Sequence, residues 1–293
     1  MNTSNFKHPL RIFYSDDYAV DERLETVSKS KLLAEMITAG AVPGVELVAP
    51  KLATKAELLR IHSLEYVHNV LTGGLKYLAA GFWSKELLQS ILATTGGMRD
   101  AVFEAFRNGR SGSLSSGLHH ASTNNGKGFC TLNGLALAAL VALEKVGEVG
   151  ILDLDAHCGG GTADILKKNK KVRLADVSVC SYDAWTPIAK SRHFFEVVDR
   201  PGRYIAKVRE ALKALEGVEF LIYNAGMDTH EKAGGLDGIT LDIIKEREAL
   251  VVEWARERNV PIIFALAGGY MWSGLTLKEV AELHLETVKA FNS

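Results

Sequence analysis

Cysteine is scarce in this chain. Cys130, Cys158 and Cys180 are the only three, none forms a C-x-x-C pair, and their odd number argues against a disulfide framework. Long apolar runs are missing too, so no stretch reads as a membrane span. No basic run stands out and the formal net charge is -1, which leaves no global attraction for nucleic acid or an anionic membrane surface. Residues 1–9 lack the apolar core of a signal peptide, so a cytoplasmic location is expected. No Pro/Ser-rich linker, charge block or internal repeat divides the chain, and residues 1–293 read as one domain. Nothing in the sequence encodes an oligomeric state.

What is present is an ordinary core-forming composition, 47% hydrophobic and 24% charged. Short apolar runs alternate with helical periodicities. Strands are expected at 10–14, 45–48, 149–153, 172–180, 220–228 and 261–270. Helices are expected at 21–36, 55–71, 84–108 with a break near Gly96-Gly97, 134–145, within 196–215, at 240–258 and at 276–291. Such alternation predicts an α/β fold with a central, mainly parallel sheet flanked by helices on both faces. His62 and His68 lie on the 55–71 segment as isolated histidines and receive no functional role.

The most informative stretch runs from Val149 to Thr162, Val-Gly-Ile-Leu-Asp-Leu-Asp-Ala-His-Cys-Gly-Gly-Gly-Thr. A buried strand leads into Asp153, Asp155 and His157, which share a face if the extension continues. Buried together without a partner, two carboxylates and an imidazole are too costly, and a divalent cation resolves the conflict. The glycines 159–161 then turn the backbone into a helix start at Thr162. A phosphate cradle is the competing reading, but no Gly-Lys-Ser/Thr follows; simple helix capping does not account for a D-x-D-x-H series.

Two further strands end in chemically useful residues, Asp228 and Gly268-Gly-Tyr270. In a parallel sheet all these strand ends lie along one edge. Asp155, His157 and Asp228 therefore form a credible three-ligand set with an open fourth position, the arrangement used by catalytic zinc, although Fe(II), Co(II) and Mn(II) also accept it. The adjacent His119 and His120 can supply a base and an acid near neutral pH.

The ordered set His119-His120-Ala, Gly128-Phe-Cys130, Asp153-Leu-Asp-Ala-His157 with Gly159 and Gly161-Thr162, Ala225-Gly-Met-Asp228 and Gly268-Gly-Tyr270 resembles the histone deacetylase family, which has the arginase–deacetylase fold and includes bacterial deacetylase-like amidohydrolases. The resemblance covers most of the chain from about residue 60 onward. It implies a zinc-dependent amidohydrolase that removes an acyl group, acetyl in the usual case, from a lysine-like side chain of a peptide or from a small acylated amine. By the same resemblance, Asp155, His157 and Asp228 hold zinc, which polarises the amide carbonyl and activates water. His120 is the general base. His119, paired with Asp153, serves the leaving amine, and Tyr270 bonds the oxyanion. Phe129 lines the acyl channel with Gly128 beside it, Leu236 walls the pocket, and Asp153 helps hold a structural potassium ion.

Three departures stand out. Cys158 occupies the place of a second histidine. Gly160 occupies the place of an acid that in the family orients the second histidine of the pair. Asp21-Glu-Arg-Leu24 stands where a His-Pro-Glu signature is usual. Two other functions share the fold or pocket. A binuclear manganese ureohydrolase is disfavoured by Gly159, where its second acid would fall. A catalytically impaired acyl-amine-binding protein is the reading that Gly160 and Cys158 suggest.

Overall fold

A computed structural model describes residues 8–19, 25–74, 79, 81–116, 118–272 and 274–293. The Asp21–Leu24 stretch lies outside them. Eight strands form one sheet: Leu10–Phe13 (β1), Val45–Val48 (β2), Arg110–Ser113 (β3), Val149–Asp153 (β4), Val172–Ser178 (β5), Phe194–Val197 (β6), Phe220–Gly226 (β7) and Ile262–Ala267 (β8). Their order is β2-β1-β3-β8-β7-β4-β5-β6, and every adjacent pair is parallel. The helices among the described residues are Glu25–Thr38 (α1), Lys55–Leu58 (α2), Leu64–Thr72 (α3), Lys85–Asn108 (α4), Gly134–Ala142 (α5), Gly160–Leu166 (α6), Tyr204–Ala214 (α7), Leu241–Glu257 (α8) and Leu277–Asn292 (α9). None of them is long and apolar enough to cross a membrane.

Side-chain alternation explains why the central strands are apolar throughout. In β7, Leu221, Tyr223 and Ala225 join the core beneath α1, α7, α8 and α9, whereas Phe220 and Ile222 join the core beneath α4, α5 and α6. A strand covered on both faces has no polar side to show, and all seven β7 residues are buried. The expected fold class is the one observed.

Local expectations failed where packing overrides pattern. Helix α4 runs unbroken through Gly96-Gly97. These glycines permit close approach: a Cβ on Gly96 would collide with the Lys51 carbonyl, and one on Gly97 with the Tyr18 hydroxyl. The helix expected over 55–71 is instead two, because Ser63 caps α3 by accepting from the Tyr66 amide and buried His62 occupies the joint. Strand β3, Arg-Ser-Gly-Ser, carries no apolar signal, and β6 was absent from the expected set; both are fixed by pairing with neighbours. Helix α6 begins at Gly160 rather than Thr162.

Candidate active site

The sheet order places β8, β7 and β4 side by side, so their carboxyl ends deliver Tyr270, Asp228 and the 155–157 segment to one place. Asp155, His157 and Asp228 each offer a ligand atom, and these atoms lie within 4.8 Å of one another. They do not converge by the strand alternation expected from the sequence. β4 ends at Asp153, and the chain bends beyond it because two carboxylates take its amides. Asp155 Oδ1 accepts from the His157 amide at 2.9 Å, and Asp228 Oδ1 accepts from the Ala156 amide at 2.9 Å. His157 then pairs in parallel with Cys180. Gly268, at φ 42, lets the turn after β8 lie directly on Asp228; any Cβ there would collide with the carboxylate.

Asp155 and Asp228 are fully buried, 2% and 0% exposed. His157 Nδ1 lies 3.2 Å from Asp155 Oδ1 and 3.0 Å from Asp228 Oδ2. Burial works against a charge on this imidazole, but the two carboxylates outweigh it and push His157 up to about 11. Burial and the neighbouring Asp155 together raise Asp228 above the usual carboxylate range. Two buried acids around one imidazole thus demand positive charge between them. Oxygen and imidazole donors in this number suit a divalent cation of the zinc type, and the residues fit the metal that the resemblance implies.

His119 and His120 stand beside this centre with rings 3.9 Å apart. His119 Nδ1 lies 3.0 Å from Asp153 Oδ2 and its Nε2 3.6 Å from Asp155 Oδ1. Burial opposes its charge, yet Asp153 and Asp155 prevail and push it up to about 10. His120 goes the other way: burial, reinforced by the adjacent His119, pushes it down to about 4. The surroundings thus push the two imidazoles in opposite directions. Asp153 is held in turn by Asn224 Nδ2 at 2.8 Å and by the Asp155 amide at 3.2 Å. Both of these donors bind Oδ1, while Oδ2 faces His119.

Tyr270 is 9% exposed, with its ring centroid 6.5 Å from that of His157, and its amide donates to Ala233 at 2.9 Å. Gly128 and Phe129 form the tip of a tight turn closed by Lys127 and Cys130, with φ of 54 and 63. Both left-handed residues suit a type I′ turn, which lays Gly128 against the His120 ring and leaves Phe129 43% exposed. Leu236, in the loop after Asp228, is half-buried against the larger core.

Several neighbours escaped the sequence reading. Asp183 Oδ2 lies 2.9 Å from His120 Nδ1. Its position just past the end of a parallel strand, β5, was the available signal. Tyr182 stands edge-on to both His120 and His157, at 5.0 and 5.8 Å between centroids, and Trp272 stacks on Tyr270 at 4.1 Å. With Phe129, these exposed aromatics rim the site. Buried Arg247 of α8 donates from Nη1 to the carbonyls of Leu154 at 3.3 Å and Gly226 at 2.7 Å, tying together the two ligand-bearing segments.

Comparison with known proteins agrees with this arrangement. The profile described as "Histone deacetylase domain" matches residues 22–185, more than half of the chain. The chain is 28% identical to histone deacetylase 2 of Arabidopsis thaliana over 89% of its own length and 75% of that protein. Among solved structures, the HDA15 HD domain superposes with a TM-score of 0.78 at 19% identity, covering 98% of this chain and 90% of the other. The acetylpolyamine aminohydrolase from Burkholderia pseudomallei does so with a TM-score of 0.79 at 14% identity, covering 97% and 99%. The chain belongs to the histone deacetylase family, amidohydrolases built on the arginase–deacetylase fold.

Proposed function

We propose that this chain is a zinc-dependent deacetylase that hydrolyses the N-acyl group of a lysine-like side chain or a small acylated amine. The observation that carries the reading is the buried Asp155–His157–Asp228 cluster beside His119, which faces Asp153, and His120, which faces Asp183. When bound there, zinc supplies Lewis acidity, polarising the acyl carbonyl and making water acidic enough to attack near neutral pH. His120, whose Nδ1 faces Asp183 and whose charged form burial disfavours, would be the group to take a proton from the attacking water. His119, whose charged form Asp153 favours, would be the group to give a proton to the departing nitrogen. Tyr270, presented by the Gly268-Gly269 turn, donates its hydroxyl to the developing oxyanion. Phe129 with Gly128 and Leu236 flank the acyl group, and an apolar aromatic wall suits an alkyl chain more than a charged one.

Gly159 supports one metal rather than two. It stands where the second acid of a binuclear site would fall, and its surroundings are filled by Asp153. One sheet takes strands from residue 10 to residue 267, which supports reading residues 1–293 as one domain.

The test is turnover of acetyl-lysine peptides, longer acyl-lysines and acetylpolyamines by the zinc-loaded protein. The Tyr270→Phe variant is expected to lose about 100- to 1,000-fold in kcat, the cost of one oxyanion donor. Failure to hydrolyse any member of the panel, or an active enzyme indifferent to Tyr270→Phe, contradicts the proposal.

A further inference from the structure

His120 Nδ1 faces a buried carboxylate that arrives from an unexpected segment. Asp183 lies in the loop after β5, its side chain 6% exposed, with Oδ2 at 2.9 Å from His120 Nδ1. The Gly161 amide donates to the same oxygen at 3.2 Å, and the Lys127 ammonium pairs with Oδ1. The loop itself is pinned to the ligand segment, since the Cys158 amide donates to the Tyr182 carbonyl at 2.9 Å.

Position 160, where the resemblance places an orienting acid, is glycine, and Asp183 fills the space. A Cβ on Gly160 would collide with both the carbonyl and Oδ1 of Asp183. The two sources of carboxylate are thus sterically exclusive. With a side chain at 160, Asp183 is displaced; with glycine at 160, Asp183 reaches His120.

We propose that Asp183 is the positioning residue for His120, an orienting carboxylate relocated from the start of α6 to the loop after β5 and held in place by Lys127. An ionised carboxylate only accepts hydrogen bonds, so Nδ1 of His120 carries the proton and Nε2 is left with the free lone pair. Lys127 belongs to the same turn as Gly128 and Phe129. The ion pair therefore ties the aromatic rim of the site to the orientation of the histidine. The absence of an acid at 160 accordingly does not mark a disabled enzyme. The inference rests on reading His120 as the base, and the test separates the two.

The experiment has a kinetic arm and a spectroscopic arm, both on the full chain. In the kinetic arm, zinc-loaded Asp183→Asn and Asp183→Gly are compared on whichever panel substrate the wild type hydrolyses. Asp183→Gly is expected to lower kcat at least ten-fold, with KM within about two-fold and metal content unchanged. Asp183→Asn, which keeps an acceptor oxygen facing His120 Nδ1 but not the charge, is expected to lose less kcat than Asp183→Gly. A merely structural Asp183 would move stability and KM, and Asp183→Asn would fare no better in kcat than Asp183→Gly. In the spectroscopic arm, nitrogen-15 histidine spectra of the metal-free protein, assigned by loss of one signal pair in His120→Gln, report the tautomer directly. Wild-type His120 is expected as the Nδ1–H form, and Asp183→Ala as a mixture. A wild-type Nε2–H tautomer, or kcat within two-fold of wild type for Asp183→Gly, overturns the proposal. Should the wild type hydrolyse nothing, the deacetylase reading fails while the tautomer spectra still decide the role of Asp183.

Discussion

Replacing Arg247 is predicted to damage the metal centre from behind. Its side chain is 0% exposed and that of Glu248 1%, with Nη2 at 2.6 Å from Glu248 Oε1. The remaining donors hold the Leu154 and Gly226 carbonyls, Thr229 Oγ1 at 3.0 Å and the Tyr204 hydroxyl at 3.3 Å. In Arg247→Met the carboxylate of Glu248 loses its charge partner in a dry interior. Breaking a buried pair from one side costs about 3–5 kcal/mol, a large share of the roughly 5–15 kcal/mol that holds a typical domain together. Changing Glu248→Gln as well removes the stranded charge and leaves an acceptor for the Tyr223 hydroxyl, which donates to Oε1 at 2.7 Å. The double variant is therefore expected to recover about 1–3 kcal/mol of the loss. Urea unfolding of the metal-free protein, followed by far-UV circular dichroism, measures both values. Because Leu154 and Gly226 adjoin the segments bearing Asp155 and Asp228, zinc titration by calorimetry should show about 10- to 100-fold weaker binding in Arg247→Met. A single variant that loses less than about 1 kcal/mol and binds zinc as tightly as wild type refutes this role for Arg247.

Three other outcomes follow from the same geometry. Burial holds His62 down to about 4, where its Nδ1 bonds the Ser122 carbonyl at 2.8 Å and its Nε2 accepts from the Asn133 amide at 3.1 Å. The unfolded chain takes up this proton first, so stability falls as pH drops from the ordinary histidine value of 6.5 towards 4, by about 2 kcal/mol at pH 5; His62→Gln should flatten that part of the urea-derived profile, and an unchanged slope would count against it. Gly268→Ala, which combines a positive φ with a collision against Asp228, should lower stability by about 1–3 kcal/mol and weaken zinc binding in the same calorimetric titration. Asn224→Ala, which removes one of the two donors to Asp153 Oδ1, should lower kcat more than it raises KM, because it loosens the partner of His119 and touches no rim residue; an effect on KM alone would argue otherwise.

How much of this was legible in the sequence depended on the range of the interaction. The buried apolar runs of β4, β7 and β8 state their burial locally, and the parallel-sheet rule then carries Asp155, His157, Asp228 and Tyr270 to one edge without any coordinates. Strand β3 is the opposite case: Arg-Ser-Gly-Ser has no pattern of its own and becomes a strand because β1 and β8 bind it on either side. Gly96-Gly97 looked like a helix break, since sequence alone cannot distinguish a glycine that bends a chain from one that makes room for Tyr18 and the Lys51 carbonyl. For Asp183 the sequence offered only its place past the end of β5, and nothing that tied it to His120. It sits 63 positions from His120, and only the space left by Gly160 reveals why it belongs there. Nothing in the sequence separates Arg247 from the other charges of α8, yet the helix turns it inward to the ligand segments.

Anomalous diffraction at the zinc edge, from crystals of the zinc-loaded protein and of Asp228→Asn, tests the central claim most directly. The account predicts one peak per chain in the wild type, bonded to Asp155, His157 and Asp228 beside the Tyr270 hydroxyl, and its loss or severe depletion in the variant. A peak elsewhere, two peaks at this site, or full occupancy in Asp228→Asn would contradict it.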